Sequence, residues 1–187
     1  MRNLPVKTKI LIATALVAVG VAGRLLPHAW NFAPIAAIGL FAGARLGVAF
    51  GFLLPVAAMA ISDASIGFYD WHINATVYAA MALSGAIGLF LRNKRNPIAI
   101  AAGSAAASTL FFLITNAAVW FFGTMYPPTF SGLMMSLVAG LPFFRNAALG
   151  DLWYSAAFFG AWELAILAYD NRARIKQSTL LALAKIR

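Results

Sequence analysis

The chain has 187 residues, of which 63% are hydrophobic and 10% are charged. A water-soluble domain of this length would need more polar side chains on its surface, so the composition predicts an all-α integral membrane protein. The net charge of +9 comes from short basic runs between apolar segments, with no basic face interleaved with aromatic residues, so nucleic-acid binding is not expected. The absence of cysteine excludes disulfides and thiolate metal ligands.

Six apolar segments predict six transmembrane helices in a single membrane domain, residues 1–187. The predicted helices cover residues 10–26, 32–43, 46–61, 73–91, 98–122 and 147–169. At about 1.5 Å per residue the longer segments can cross a hydrocarbon core of about 30 Å, while the second and third are short for this. Glycines at four-residue spacing predict close helix packing in these two short segments: Gly39, Gly43, Gly47 and Gly51.

The distribution of basic residues predicts the orientation in the membrane. Twelve of the fourteen Lys and Arg residues fall on one side of the six helices, and only Arg24 and Arg145 fall on the other. Because positively charged loops stay in the cytoplasm, both termini are predicted to be cytoplasmic. The N-terminal stretch also has the pattern of a cleaved signal peptide, which is the alternative interpretation.

Three connections face outward in this topology, residues 24–31, 62–72 and 123–146, and they hold most of the polar and aromatic candidates. The candidates are His28, Asn31, Asp63, Asp70, Trp71, His72, Tyr126 and Arg145, with Asp151 one turn inside the sixth helix. Each has a structural alternative, because Trp and Tyr anchor helices at membrane interfaces and Asp63 or Asp70 can pair with Arg24 or Arg145. Asp151 also suits the positive end of a helix dipole.

The third connection, "GTMYPPTFSGLMMSLVAGLPFFRN", is long and carries no charge before Arg145. Such a segment would not stay in water, so it predicts an outward lid over the helix ends, with a short helix from Thr129 to Ala139 and with Phe143 and Phe144 facing a ligand. A structural re-entrant plug is the alternative.

The fourth helix supplies a predicted wall for the site beneath the lid. Thr76, Ala80 and Ser84 follow one another at four-residue spacing and share a helix face with Val77 and, a turn further, Ile73. A face of small residues either leaves space for a ligand or lets another helix approach closely.

No enzyme motif is found, and no catalytic residue is assigned. The chain has no P-loop, no G-x-S-x-G and no H-E-x-x-H. Glu163, deep in the sixth helix, is predicted to pair with an inner arginine or to hydrogen-bond within the bundle. A membrane enzyme that uses Asp63, Asp70 or His72 as acid or base remains an alternative.

Three stretches, "GRLLPHAWNFAPI", "ISDASIGFYDW" and "GLPFFRNAALGDL", resemble a known family. They are similar to the substrate-binding S components of energy-coupling-factor vitamin transporters, and more narrowly to the BtuM group of cobalamin transporters. The resemblance implies a multi-pass protein of the bacterial inner membrane that takes up cobalamin or a related corrinoid from its outer face, without an ATPase of its own. A smaller vitamin such as thiamine, riboflavin or biotin, a corrinoid- or lipid-modifying enzyme, and a purely structural protein are the alternatives.

The resemblance also assigns individual roles. BtuM-like proteins carry a cysteine in the fourth helix that ligates the corrin cobalt, and the matching position here is Ala80, with Ala79 as the alternative. A methyl group cannot bind cobalt, so the resemblance implies that corrin is held by shape, with His28 or His72 as less favoured axial ligands. Ala18 and Ala22 supply the small-residue spacing through which S components contact a scaffold subunit that carries ATPases. No catalytic cofactor is expected.

Overall fold

The computed structural model describes residues 4–27, 29–92 and 94–184, and within these residues it contains six helices and no strand. The helices are α1 (Val6–Leu25), α2 (Ile35–Arg45), α3 (Val48–Ile66), α4 (Trp71–Phe90), α5 (Pro97–Phe122) and α6 (Phe130–Ala184). All except α2 are long and apolar enough to span a membrane. The prediction of an all-helical fold is therefore confirmed, and the five long apolar helices are those of a multi-pass membrane protein by length and composition.

Helix starts are set by local capping and turn residues. The carboxylate of Asp70 accepts hydrogen bonds from the backbone N–H groups of His72 and Ile73, so α4 begins at Trp71 rather than at the predicted residue 73. Asn96 caps α5 in the same way, and Pro97 occupies its first turn. Between α2 and α3 the chain turns at Gly47, whose φ of 116° favours glycine.

The helices run alternately up and down, which gives the bundle two chemically different ends. At one end Arg24 of α1 pairs with Asp63 near the end of α3, and this end is called the Arg24 end. At the other end Arg45 of α2 donates to the carbonyl oxygen of Lys94 and lies 3.7 Å from Glu163 of α6, and this end is called the Arg45 end. The polar candidates and the basic runs are therefore separated, as the topology predicted.

The predicted lid at residues 123–146 is wrong for most of its length, because α6 begins at Phe130 instead of residue 147. Residues 130–146 form the segment of α6 at the Arg24 end and pack along α5. There Phe144 contacts Phe112, and Ser136 donates to the carbonyl oxygen of Asn116. Pro142 lies inside the helix without ending it. The loop between α5 and α6 is consequently only residues 123–129.

The short helix α2 is enclosed by the other helices, and residues Ile35 to Ala44 are all buried. Its backbone meets those of α3 and α4 at three glycines, since a Cβ added at Gly85 would overlap Gly51, and one added at Gly43 would overlap the carbonyl of Gly85. The predicted close contacts are thus found at Gly39, Gly43 and Gly51, whereas Gly47 lies in the turn between α2 and α3.

Candidate functional site

A cavity lies at the Arg24 end because α2 is only half as long as its neighbours. Gly39 packs beside Ser84 and Gly88 packs beside Leu40 and Ala44, so α2 accompanies only the Arg45-end half of α4. Eleven residues rise about 16 Å, roughly half of the hydrocarbon thickness. The remaining space above Ile35, the first residue of α2, is a cavity of about 590 Å³, called the central cavity below.

The central cavity has mostly apolar walls with a few polar groups. Four phenylalanines from α5 and α6 line one side, and aliphatic and methionine side chains of α3 and α4 line the other: Phe111, Phe112, Phe143, Phe144, Met59, Ile66, Ile73, Val77 and Met81. The polar side chains reaching it are Arg24, Asn31, Tyr69, Thr115, Asn116 and Asp151. Apolar walls with a few fixed polar groups are typical of small-molecule binding sites.

Arg24 is fixed at the cavity by a buried polar network. Its guanidinium lies 2.7 Å from the carboxylate of Asp63 and donates to the hydroxyl of Ser62 over 2.6 Å. The hydroxyl of Tyr78 donates to the other carboxylate oxygen of Asp63 over 2.7 Å. Asp63 is only 1% exposed and Arg24 is 17% exposed, so the pair is held in one geometry by α1, α3 and α4 together. The predicted alternative that Asp63 pairs with Arg24 is confirmed.

Asp151 forms the polar floor of the cavity, and it is 5% exposed. The hydroxyl of Ser108 on α5 donates to its Oδ2 over 2.6 Å, and its carboxyl group also accepts the backbone N–H of Ala37. Ala37 is in the first turn of α2, and α2 has no side-chain cap from its own N-cap residue, Pro34. Asp151 therefore caps α2 from a different helix, which satisfies one of the free N–H groups at that helix start.

The residues around Asp70 form a surface cluster outside the cavity. The rings of Trp71 and His72 stack, and His72 also stacks on Phe122 at the end of α5. The backbone N–H groups of Ile73 and His72 lower the pKa of the exposed Asp70 carboxyl. By contrast, burial and the nearby Asp63 carboxylate raise the pKa of Tyr69, which does line the cavity.

The structure brings four of the predicted site residues to the central cavity: Asn31, Phe143, Phe144 and Asp151. Asp63 acts through Arg24, whereas the following described residues do not line the cavity: Asp70, Trp71, His72, Thr76, Ala80, Ser84, Tyr126 and Arg145. His28 lies outside the described residues.

The face of α4 that lines the cavity differs in part from the predicted face. Thr76 donates its hydroxyl to the carbonyl of His72, and Ala80 and Ser84 are buried within the bundle, where Ser84 packs against Gly39 of α2. The cavity meets Ile73 and Val77, which belong to the predicted face, and Met81.

Four of the six polar lining residues were missed from the sequence: Arg24, Tyr69, Thr115 and Asn116. Arg24 was noted only as a possible partner of Asp63, although an arginine at a helix end facing several acidic candidates is a signal for a shared network. Asn116 is the one amide inside the apolar α5 segment, and polar side chains inside a spanning helix commonly mark a site.

A cluster of charged side chains lies at the Arg45 end. Glu163 lies 3.7 Å from Arg45 and 3.6 Å from Arg95, which confirms its predicted pairing with inner arginines. The guanidinium of Arg45 also lies 4.9 Å from the ring centroid of Phe159. Among residues 4–27, 29–92 and 94–184, no group of three or more His, Asp or Glu side chains could hold a metal ion.

The outer face of α1 carries a shallow apolar groove that includes both alanines singled out in the sequence. Ala18 and Ala22 line it together with their apolar neighbours Ala13, Val17, Val21, Leu25, Leu26 and Ile61 and with Thr14. This groove is separate from the central cavity.

Comparison with known proteins places the chain in a family. Residues 5–175 match DUF6580, a family of unknown function, and the chain belongs to that family. Searches of curated proteins and of solved structures found no match.

Proposed function

We propose that this protein is a membrane transport protein that binds cobalamin or a related corrinoid at the Arg24 end and takes it up across the bacterial inner membrane. In this proposal the Arg24 end faces outward and both termini are cytoplasmic, in accord with the basic residues gathered at the Arg45 end. The observation that carries the proposal is the half-length α2, which leaves a cavity among the outer halves of the other helices.

The chemistry of the cavity suits a large planar ligand with amide substituents. The rings of Phe112 and Phe144, 4.8 Å apart, offer apolar faces to a macrocycle. The amides of Asn31 and Asn116 and the guanidinium of Arg24 offer donors and acceptors for ligand amides. A corrinoid is larger than the enclosed volume, so its edge would project past Asn31 at the mouth.

Cobalt, if present in the ligand, would be held without a thiolate because the chain has no cysteine. His72 stacks between Trp71 and Phe122 outside the cavity, which disfavours it as an axial ligand. His28 belongs to the same outward loop as Asn31 and remains the proposed nitrogen ligand. Delivery of the ligand through a scaffold and ATPase subunits would use Ala18 and Ala22 in the α1 groove.

A second candidate function is uptake of a smaller vitamin such as thiamine, riboflavin or biotin. The observation in its favour is the cavity volume of about 590 Å³, which lies in the range of sites that enclose small molecules. Such a ligand would be enclosed fully, whereas a corrinoid would not.

Titration of the purified protein with cobalamin separates the two candidates. We expect micromolar or tighter binding, and we expect Val77→Phe to weaken it at least tenfold because the added ring occupies the cavity. Leu113→Phe is the matched control, since Leu113 is exposed on α5 and outside the lining. Tight binding of a smaller vitamin together with no binding of cobalamin would replace the first candidate by the second.

The visible spectrum of bound cobalamin tests the assignment of residue 80. The resemblance predicts a changed spectrum in Ala80→Cys through a new Co–S bond, but Ala80 is buried on α4 outside the cavity lining, so we expect the wild-type spectrum. Ala79→Cys is the control, since Ala79 is exposed. A changed spectrum in Ala80→Cys would show that the corrin reaches α4 at residue 80, and a change only in Ala79→Cys would place the family's cysteine at residue 79.

A further inference from the structure

A buried carboxylate at the cavity floor has no positive partner within the part of the chain that the structure describes. Among residues 4–27, 29–92 and 94–184, no ion pair reaches Asp151, although it is 5% exposed within a membrane-spanning helix. Its two hydrogen-bond donors, the hydroxyl of Ser108 and the backbone N–H of Ala37, are both neutral. An ionised carboxylate in such surroundings is costly, and a group so placed commonly becomes neutral by binding a proton.

The oxygen atoms around Asp151 fit a neutral acid. Oγ of Ser108 lies 2.6 Å from Oδ2 of Asp151 and 3.1 Å from the carbonyl oxygen of Ser104, and both of these are acceptors when Asp151 is ionised. A serine hydroxyl has one hydrogen and can donate to only one of them. When Asp151 is protonated it donates to Ser108, and Ser108 donates to Ser104, so both short contacts become hydrogen bonds.

The other charged and titratable groups leave Asp151 isolated. α5 has no charged residue. On α2 the only charged residue, Arg45, lies at the far end and pairs with Glu163 of α6. Across the cavity, Arg24 of α1 is neutralised by Asp63 of α3, which also accepts from Tyr78 of α4. Among the described residues, the other titratable groups near Asp151 are Tyr69 at the mouth and, on α6, Tyr154 and the exposed Arg145.

We propose that Asp151 is a proton-binding site at the cavity floor and that ligand binding requires its protonated form. The proton comes from water in the cavity and binds Oδ2 of Asp151, and the only bonds made or broken are O–H bonds. Because a ligand would remove the remaining water above Asp151, binding to the ionised form would bury an unpaired charge. The second half of this inference rests on the proposed function, whereas the protonation of Asp151 does not.

Infrared spectroscopy of the ligand-free protein tests protonation directly, because the C=O stretch of a carboxylic acid is separate from the carboxylate and amide bands. At neutral pH we expect such a band in the wild type and in Asp70→Asn, but not in Asp151→Asn. In Ser108→Ala the band should persist at a shifted frequency, because the acid loses its acceptor. A spectrum that none of these substitutions changes would overturn the proposal. If Asp151→Asn folds poorly, the frequency shift in Ser108→Ala still tests whether the band belongs to Asp151.

The pH dependence of cobalamin affinity tests the coupling. In the wild type we expect affinity to be constant at low pH and to fall about tenfold per pH unit once Asp151 loses its proton. The cobalamin affinity of Asp151→Asn should not depend on pH. Its side-chain amide can donate to Ser108 and accept from Ala37, as the neutral acid does. Equal pH dependence in both proteins would overturn the coupling. Failure of every variant to bind cobalamin would count against the proposed function and would leave the infrared result standing.

Discussion

Asp63→Asn is expected to lower the free energy of unfolding by about 3–5 kcal/mol, because it leaves the Arg24 guanidinium without its counter-charge in a buried site. Thermal or denaturant unfolding in one detergent measures the loss. Asp70→Asn is the matched control, since Asp70 is exposed and asparagine caps a helix about as well as aspartate. We expect the control to stay within about 0.5 kcal/mol of the wild type.

A double variant shows whether the loss comes from the ion pair itself. Arg24→Met removes the charge that Asp63→Asn leaves unpaired, so the double variant should be more stable than the sum of the two single losses predicts. The same substitutions should impair ligand binding, because the ion pair is what holds Arg24 at the cavity wall. Additive losses in the double variant would contradict the expectation that the two side chains act as a pair.

Gly85→Ala is expected to prevent correct packing of α2, α3 and α4. The added Cβ would overlap the backbone of Gly51, and backbone atoms, unlike the ends of flexible side chains, cannot move aside. We expect a loss of at least about 3 kcal/mol, seen as a lower melting temperature or as little folded protein. Size-exclusion chromatography and thermal unfolding in detergent measure both outcomes.

Gly160→Ala is the control for this substitution, because nothing lies within 4 Å of a Cβ at that position of α6. Alanine there should be neutral or stabilising by up to about 1 kcal/mol, since it favours the helix over glycine. Wild-type stability in Gly85→Ala would show that the three backbones do not meet as closely as the structure places them.

The features predicted correctly are those encoded by local composition. Apolar length indicated six helices, and the four-residue glycine spacing indicated where α2 meets its neighbours. The partners of Glu163 and Asp63 could be named because the chain has only five acidic residues, and an arginine nearby stabilises a carboxylate in an apolar bundle.

The features that were missed depend on contacts between distant segments. The segment before the sixth helix was predicted as a lid because it is long and carries no charge before Arg145, yet packing of Phe144 against Phe112 stabilises residues 130–146 as helix alongside α5. The cavity face of α4 was predicted only in part, at Ile73 and Val77, because the segment is apolar on all sides and its periodicity does not indicate which side meets α2. The cap that Asp151 gives to α2 joins residues more than a hundred positions apart, and no local pattern predicts it.

The enclosure of α2 has a consequence for how the protein is made. A segment of 11 residues is too short to be stable across a bilayer alone, and residues Ile35 to Ala44 are buried against protein on every side. During insertion, α2 is therefore not stable in lipid before the neighbouring helices pack around it. Entry of α2 into the membrane must accompany the closing of α3, α4 and α6 around it, so that assembly of the ligand cavity is one of the last steps in biogenesis.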